Sequence, residues 1–326
     1  MSNKTYGKIM LGVGGLYTVR LLSHINGEPC ELAGQTVLCR ARGAFRHNNI
    51  TLLAGDTVVV CPADDFSEKT SKKDKNESAQ FVIEELCERK NSLIRPPLAN
   101  LDYLFITMAA AAPTPILSTV DKLICISEYN GIEPIIVITK AELDENYADQ
   151  LREIYEKSGF KVFVLSAVEN SGIEPINDFI QNELVGKTAA FAGASGIGKS
   201  TLLNRLFPEL SLSTAEISRK IERGRHTTRK AELYCLSDSL ECGYIADTPG
   251  FSMLDFERFD FFEKDDLPAT MREFIPLIGS CKYTKCSHTK EEGCAIIEAL
   301  NNNEIAPSRH ASYCELYEVL KAKKKW

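Results

Sequence analysis

"GASGIGKST", residues 193–201, is flanked by the apolar run "TAAFAG" and by "KSTLLNRLF". The first reads as a buried strand and the second as a helix. The pattern Gly193-x4-Gly198-Lys199-Ser200 therefore has the flanks a phosphate-binding loop requires. In such a loop the backbone N–H groups of Gly193, Ala194, Ser195, Gly196, Ile197 and Gly198 approach phosphate oxygens. The start of the helix, with Thr201 in its first turn, adds the positive end of its dipole. Lys199 reaches the outer phosphates and Ser200 ligates Mg²⁺. The alternative, a chance match in a Gly/Ser-rich turn, is disfavoured by these flanks.

Working outward, "YIADTPG" (244–250) places Asp247 at a strand end. An aspartate there holds Mg²⁺, and the Gly250 amide senses the terminal phosphate. Base recognition calls for a lysine and a carboxylate after another apolar strand. Downstream, the matching spacing "EKDD" (263–266) lies in a charged run and reads as surface. Upstream, "PIIVITKAELD" (134–144) has the strand followed by Thr139, Lys140, Ala141 and Glu142. The Lys140 stem packs over a base, and a carboxylate at 142 accepts from guanine N1–H and the 2-amino group. A further strand end, "VLSAVENSG" (164–172), offers Ser166 and Ala167, whose backbone N–H groups meet the guanine carbonyl. The order is base motif, base-backing loop, phosphate loop, then Asp-Thr-Pro-Gly. This is the GTPase order cut and rejoined, and it is tolerable because a site needs only the spatial arrangement of its strand ends.

The 326-residue chain is too long for one ordinary core, so we expect several domains. Residues 1–94 read as short strands with Gly-rich turns, as in a small β-barrel. Within them, 64–80 reads as a polar loop. Pro96 and Pro97 then mark a boundary. Residues 95–254 alternate apolar strands with helix-like segments, which predicts a largely parallel sheet covered on both faces. Residues 255–326 hold a Cys/His cluster and helices. A hydrophobic fraction of 44% is ordinary for a globular protein. The run Leu104–Leu117 is broken by Pro113 and Pro115, so no stretch suits a membrane helix. No signal peptide is evident, and eleven cysteines then read as reduced thiols.

"CKYTKCSHTKEEGC" (281–294) brings Cys281, Cys286, His288 and Cys294 into fourteen residues. Three thiolates and an imidazole suit one closed, structural zinc site. The alternative is free cysteines that cluster by chance; Cys314 and His310 lie nearby but read as part of a helix. A net charge of −7 disfavours indiscriminate nucleic-acid binding, yet basic charge is concentrated locally. Residues 1–50 carry Lys4, Lys8, Arg20, Arg40, Arg42 and Arg46 against Glu28 and Glu31, and "RKIERGRHTTRK" (219–230) is a second basic stretch. Around Gly43, the group Arg40, Arg42, Phe45, Arg46 and His47 suits RNA backbone and stacking contacts. The competing reading is a solvated strand–turn edge.

The permuted order, "RGRHTTR" (223–229), "DTPGF" (247–251), the barrel-like front and the Cys/His tail resemble the ribosome small-subunit-dependent GTPases, the RsgA family, over essentially the whole chain. The fold this implies is α/β. A circularly permuted P-loop GTPase domain follows an OB-fold barrel and precedes a small α-helical zinc-binding domain. The implied activity is GTP hydrolysis that controls binding to and release from the small ribosomal subunit and its rRNA, in late maturation. Mg²⁺ accompanies GTP and GDP. The expected setting is a cytoplasmic monomer without a membrane. "RGRHTTR" would form the first switch, with Thr227 or Thr228 closing on Mg²⁺ and the γ-phosphate. His226 either orients water or contacts RNA. Phe251 stands where other GTPases keep a water-orienting Gln, so slow intrinsic turnover is expected. One departure is Glu142, where the family's base motif carries Asp. Two competing readings are a P-loop ATPase, suggested by Glu142, and a nucleotide-gated RNA-binding scaffold with little hydrolysis, suggested by Phe251.

Overall fold

The computed structural model describes residues 4–24, 30–63, 79, 81–94, 96–208, 231–247 and 262–323. They fall into two compact units. One comprises Met1–Leu101, Glu183–Ala190 and Arg225–Gly250; the other comprises Asp102–Asn182, Phe191–Gly224 and Phe251–Trp326.

The first unit contains a closed five-stranded barrel of order β1-β2-β3-β5-β4. Its strands are β1 (Thr5–Val13), β2 (Leu16–His24), β3 (Thr36–Ala41), β4 (Thr57–Pro62) and β5 (Phe81–Leu86). Gly14 and Gly15, with φ +61° and +86°, make the two-residue turn between β1 and β2. A turn with positive φ at both central residues matches strand twist and demands residues such as glycine. The parallel pairing of β3 with β5 and the antiparallel pairing of β4 with β1 close the barrel. Ile9, Val19, Leu21, Cys39, Val58, Val60 and Ile83 fill it. The short helix α1 (Gly43–His47) buries Phe45 in the same core. Two short strands, β6 (Ser92–Leu93) and β7 (Leu98–Ala99), follow.

The second unit is built on parallel strands β8 (Tyr103–Ala109), β9 (Glu133–Thr139) and β10 (Lys161–Val164). Helices α2 (Leu117–Tyr129) and α3 (Glu145–Lys157) connect them, and α4 (Ile173–Glu183) follows β10. β8 and β9 read as unbroken apolar runs because both faces are covered. Helix α3 starts where the Asp144 carboxylate accepts from Tyr147 N at 2.9 Å, and buries Ala148, Leu151 and Tyr155 at helical spacing. The full strand order is β10-β9-β8-β11-β13-β12, with β11 (Thr188–Ala192), β12 (Glu232–Cys235) and β13 (Tyr244–Asp247). Within the first unit β11 pairs parallel with β13, and β12 runs antiparallel to it. The antiparallel pair β12–β13 lies at one edge of that order.

Helix α5 (Lys199–Leu206) follows β11. The C-terminal block has 3-10 turns at Leu267–Thr270 and Ile275–Leu277, then α6 (Ala295–Asn301) and α7 (Pro307–Ala322). It packs on α2 within one unit. Arg309, fully buried, bonds Asp121 at 2.5 Å and Glu273 at 2.7 Å. Tyr155 donates to Asp121 at 3.1 Å. Burial would push the Asp121 carboxyl up, and Arg309, Ser312 and Tyr155 oppose it.

Candidate nucleotide and metal sites

The phosphate loop takes the backbone its glycines permit. Gly193, Gly196 and Gly198 have φ of +148°, +80° and +91°. At Gly193 a Cβ would lie 2.4 Å from Thr107 O, so this position admits no side chain. Gly198 is the N-cap of α5, and Lys199 and Ser200 open the helix. Its first-turn N–H groups are thereby left for an anion. Ala194, Ser195 and Gly196 are exposed, while Ile197 is buried and anchors the loop.

The base motif is tied directly to that loop. Thr139, at the end of β9, donates its hydroxyl to Ile197 O at 2.5 Å and sits 3.1 Å from Met108 O. Lys140 has φ +55° and donates from Nζ to Gly196 O at 2.8 Å and to Ala112 O at 2.5 Å. Its stem therefore lies along the loop. Ala141 N donates to Leu165 O at 3.3 Å, which joins the base motif to the end of β10. Ser166, buried, bridges to Ser171, and its hydroxyl accepts from Glu169 N at 3.1 Å, so the Ser166–Ala167 corner is fixed. Arg205 of α5 donates to Asn170 Oδ1 at 3.1 Å and links the corner to the helix after the phosphate loop. Glu142 lies in a 3-10 turn, and its Oε2 is buried without a hydrogen-bond partner. A buried, unpartnered carboxylate oxygen is costly unless a ligand donor satisfies it.

The Cys/His cluster is closed. The ligand atoms of Cys281, Cys286, His288 and Cys294 all lie within 4.8 Å of one another. Cys281 Sγ is 3.8 Å from Cys294 Sγ, and His288 Nδ1 is 3.5 Å from each of those sulfurs. Tetrahedral zinc, with bonds of about 2.3 Å to sulfur and about 2.0 Å to nitrogen, requires edges near those lengths. The donor set therefore fits one metal ion. His310 donates from Nε2 to His288 O at 2.8 Å, and Tyr313 donates to Ser287 O at 2.9 Å. His310 and Tyr313, on α7, thus hold the backbone of the ligand loop. Glu291 accepts from Ser287 N at 2.7 Å and Ser287 Oγ at 2.5 Å. Burial opposes its ionisation, but the Ser287 and Lys290 donors outweigh burial and hold its carboxyl at about 2.

Residues 86–257 match the RsgA GTPase family model, and residues 6–67 match the RsgA N-terminal domain model. The chain belongs to the RsgA GTPase family. A Ruminiclostridium cellulolyticum protein named small ribosomal subunit biogenesis GTPase RsgA is 38% identical, covering 97% of this chain and 93% of its own. A Bacillus pumilus protein of the same name is 39% identical over 98% of each chain. Among solved structures, YjeQ from Thermotoga maritima has a TM-score of 0.75 at 29% identity, covering 98% of this chain and all of its own. YloQ, described as a circularly permuted GTPase, has a TM-score of 0.72 at 32% identity, covering 99% and 97%.

Against the RsgA expectations, the structure brings together Thr139, Lys140, Ser166 and the loop 193–198. His226, Thr227, Thr228 and Gly250 lie outside the described residues, as does Phe251. Asp247 ends β13, paired with Glu232 on β12. On the barrel the structure corrects three sequence readings. Phe45 is buried in the core and offers no ring for stacking. Lys8 and Arg20 are buried too. Lys8 donates to Thr188 Oγ1 at 2.9 Å, and Arg20 donates to Ser239 O at 2.8 Å. Arg40, Arg46 and His47 are exposed as expected, and Arg42 pairs with Glu84 at 3.2 Å. Sequence reading missed the Arg205–Asn170 link and the supporting role of His310. The helix holding His310 was read from the sequence, but nothing in it signalled that the His310 ring supports the ligand loop.

Proposed function

We propose that this RsgA-family chain hydrolyses GTP and acts in biogenesis of the small ribosomal subunit, as its relatives' names describe. The observation that carries the reading is the pair of bonds from Thr139 to Ile197 O and from Lys140 to Gly196 O. They join a base motif to a phosphate loop that follows it by more than fifty residues, so the permuted order closes into one nucleotide site. Gly193–Gly198, Lys199, Ser200 and Thr201 would hold the phosphates. Thr139–Glu142 with Ser166 and Ala167 would hold guanine, the buried Glu142 oxygen accepting from its N–H groups. Ser200 and Asp247 would hold Mg²⁺, which neutralises charge on the phosphate oxygens. His226, Thr227, Thr228 and Gly250 remain the candidates for the switch elements.

One zinc held by Cys281, Cys286, His288 and Cys294 would staple the block 255–326. The barrel, 1–94, would meet rRNA through Arg40, Arg46 and His47, and residues 95–254 form the nucleotide domain. Among the described residues no helix is long and apolar enough to cross a membrane. The role accords with a cytoplasmic monomer.

Multiple-turnover GTP hydrolysis, with and without purified small subunits and with ATP as competitor, tests the reading. Stimulated GTP cleavage that excess ATP leaves unchanged is expected. Equal use of ATP overturns the base assignment. Tight subunit binding without cleavage in any condition would leave a nucleotide-gated scaffold instead.

A further inference from the structure

The Ser166–Ala167 corner belongs to a loop closed on itself. Ser166 N donates to Ser171 O at 3.0 Å, and Ser171 N donates back to Ser166 O at 3.1 Å. The Ser166 hydroxyl accepts from Glu169 N at 3.1 Å. Gly172 lies so close to the end of β10 that a Cβ would stand 2.1 Å from Val164 O. The Ser166 N–H is therefore spent inside the loop. Among the described residues nothing accepts from the N–H of the half-buried Ala167, so that donor is left for a ligand.

The loop is tied on two sides. Towards the base motif, Leu165 O accepts from Ala141 N at 3.3 Å. Towards the phosphates, Asn170 Oδ1 accepts from Arg205 Nε at 3.1 Å. Asn170 has φ +58°, a left-handed conformation that asparagine tolerates better than most residues. Arg205 stands one turn beyond Thr201, and both are exposed on α5, the helix that follows the phosphate loop. Buried Leu202, Leu203 and Leu206 anchor that helix, so its place does not depend on Arg205.

A bound nucleotide puts two demands on this geometry. The phosphate loop and the first turn of α5 seat one end of it, and the Ala167 N–H meets a carbonyl at the other. A hydrogen bond tolerates a spread of only a few tenths of an ångström, so the two ends must keep their separation. Thr139 and Lys140 bind the base motif to the phosphate loop, but Ala167 lies on a different loop. The bond from Arg205 joins that loop to α5 directly, and its ionised donor makes it stronger than a neutral one.

We propose that Arg205 is a positioning residue for guanine. Through Asn170 it holds the Ala167 N–H within reach of the guanine carbonyl while the phosphates sit on their loop. The inference rests on the guanine reading given above. Arg205 itself touches no part of the nucleotide. It serves the carbonyl at purine position 6, whereas the N1–H and the 2-amino group face Glu142. Losing Arg205 therefore weakens every nucleotide with the 6-carbonyl, with or without the 2-amino group, and spares one that lacks the carbonyl.

The test measures the affinity of full-length protein for GTP, for inosine triphosphate and for purine riboside triphosphate, which has hydrogen at position 6. In Arg205→Ala, GTP and inosine triphosphate should both bind about threefold to fivefold more weakly, the loss of one modest hydrogen bond, with purine riboside triphosphate unchanged. Asn170→Gly suits the positive φ and removes the acceptor, so it should give the same pattern. Adding Arg205→Ala to it should cost nothing more. Arg205→Lys, which keeps a donor, should recover part of the loss. Equal weakening of all three nucleotides would make Arg205 a merely structural residue and overturn the proposal, as would unchanged GTP affinity in both single variants. Wild-type protein that binds purine riboside triphosphate as tightly as GTP would instead remove the guanine reading, and this inference with it.

Discussion

The Thr139 hydroxyl reaches the backbone oxygen of Ile197 at 2.5 Å, joining residues 58 apart in the chain. Thr139 is buried, and the same hydroxyl lies 3.1 Å from Met108 O. One side chain thus fixes the end of β9, the end of β8 and the phosphate loop. Replacing it by an isosteric apolar group leaves the loop carbonyl without its donor.

Thr139→Val should therefore weaken nucleotide binding while the fold persists. One lost hydrogen bond is worth about 1 kcal/mol, or roughly fivefold in affinity. Titration of a fluorescent GTP analogue would measure this. Unchanged affinity would mean that the loop holds its shape without Thr139. Thr139→Asn, which retains a donor, should bind closer to wild type.

Glu142 supplies a sharper test, because its Oε2 is buried with no partner. In Glu142→Gln an amide donor faces the guanine N–H groups in place of a charged acceptor. GTP affinity should fall by about tenfold or more, since hydrogen bonds to charged groups contribute about 1.5–3 kcal/mol. ATP affinity should change little, so the ratio between the two nucleotides collapses. Glu142→Asp should keep the preference for GTP. Competition binding against ATP checks all three, and an unchanged ratio in Glu142→Gln would remove Glu142 from base selection.

Much of this site was legible in the sequence because it is local. The glycines at 193, 196 and 198 declare a backbone that other residues resist, and the Cys281–Cys294 spacing declares a donor set. The barrel and the parallel sheet followed from turn glycines and from unbroken apolar strands such as β9. What escaped reading were long-range partners. Lys8 and Arg20 read as surface charge, since nothing local shows that Thr188 and Ser239 cover them. Phe45 read as a stacking platform because its neighbours are basic, whereas the fold turns it into the barrel. His310 read as part of a helix, where it lies, but nothing local shows that its ring serves the carbonyl of His288.

The metal cluster predicts a graded loss. Cys286→Ala removes one of the four donors, and the single zinc proposed for this cluster should drop to well under one per chain by elemental analysis. Thermal unfolding should move down, because a structural metal contributes folding energy directly. His310→Ala leaves all four ligands but frees the His288 carbonyl. Losing a partner that holds a ligand in place typically costs about 10–100-fold in metal affinity. A chelator competition that finds His310→Ala equal to wild type would confine His310 to core packing.

The C-terminal helix is held to α2 by charge as well as by apolar contact. Arg309 is fully buried and shared between Asp121 and Glu273. Removing one partner leaves an uncompensated buried ion, which costs about 3–5 kcal/mol. Arg309→Met should therefore lower the urea midpoint strongly. Asp121→Leu alone should also destabilise, although Glu273 still partners Arg309. Two apolar residues packed against each other need no ionic partner, so the double variant Asp121→Leu, Arg309→Met should be more stable than the sum of the singles predicts. Glu273 keeps the recovery partial, because it loses its guanidinium in the double variant. Urea unfolding of wild type, both singles and the double closes this cycle. Strict additivity would mean that Arg309 and Asp121 are not coupled, and that apolar contact alone holds α7 on α2.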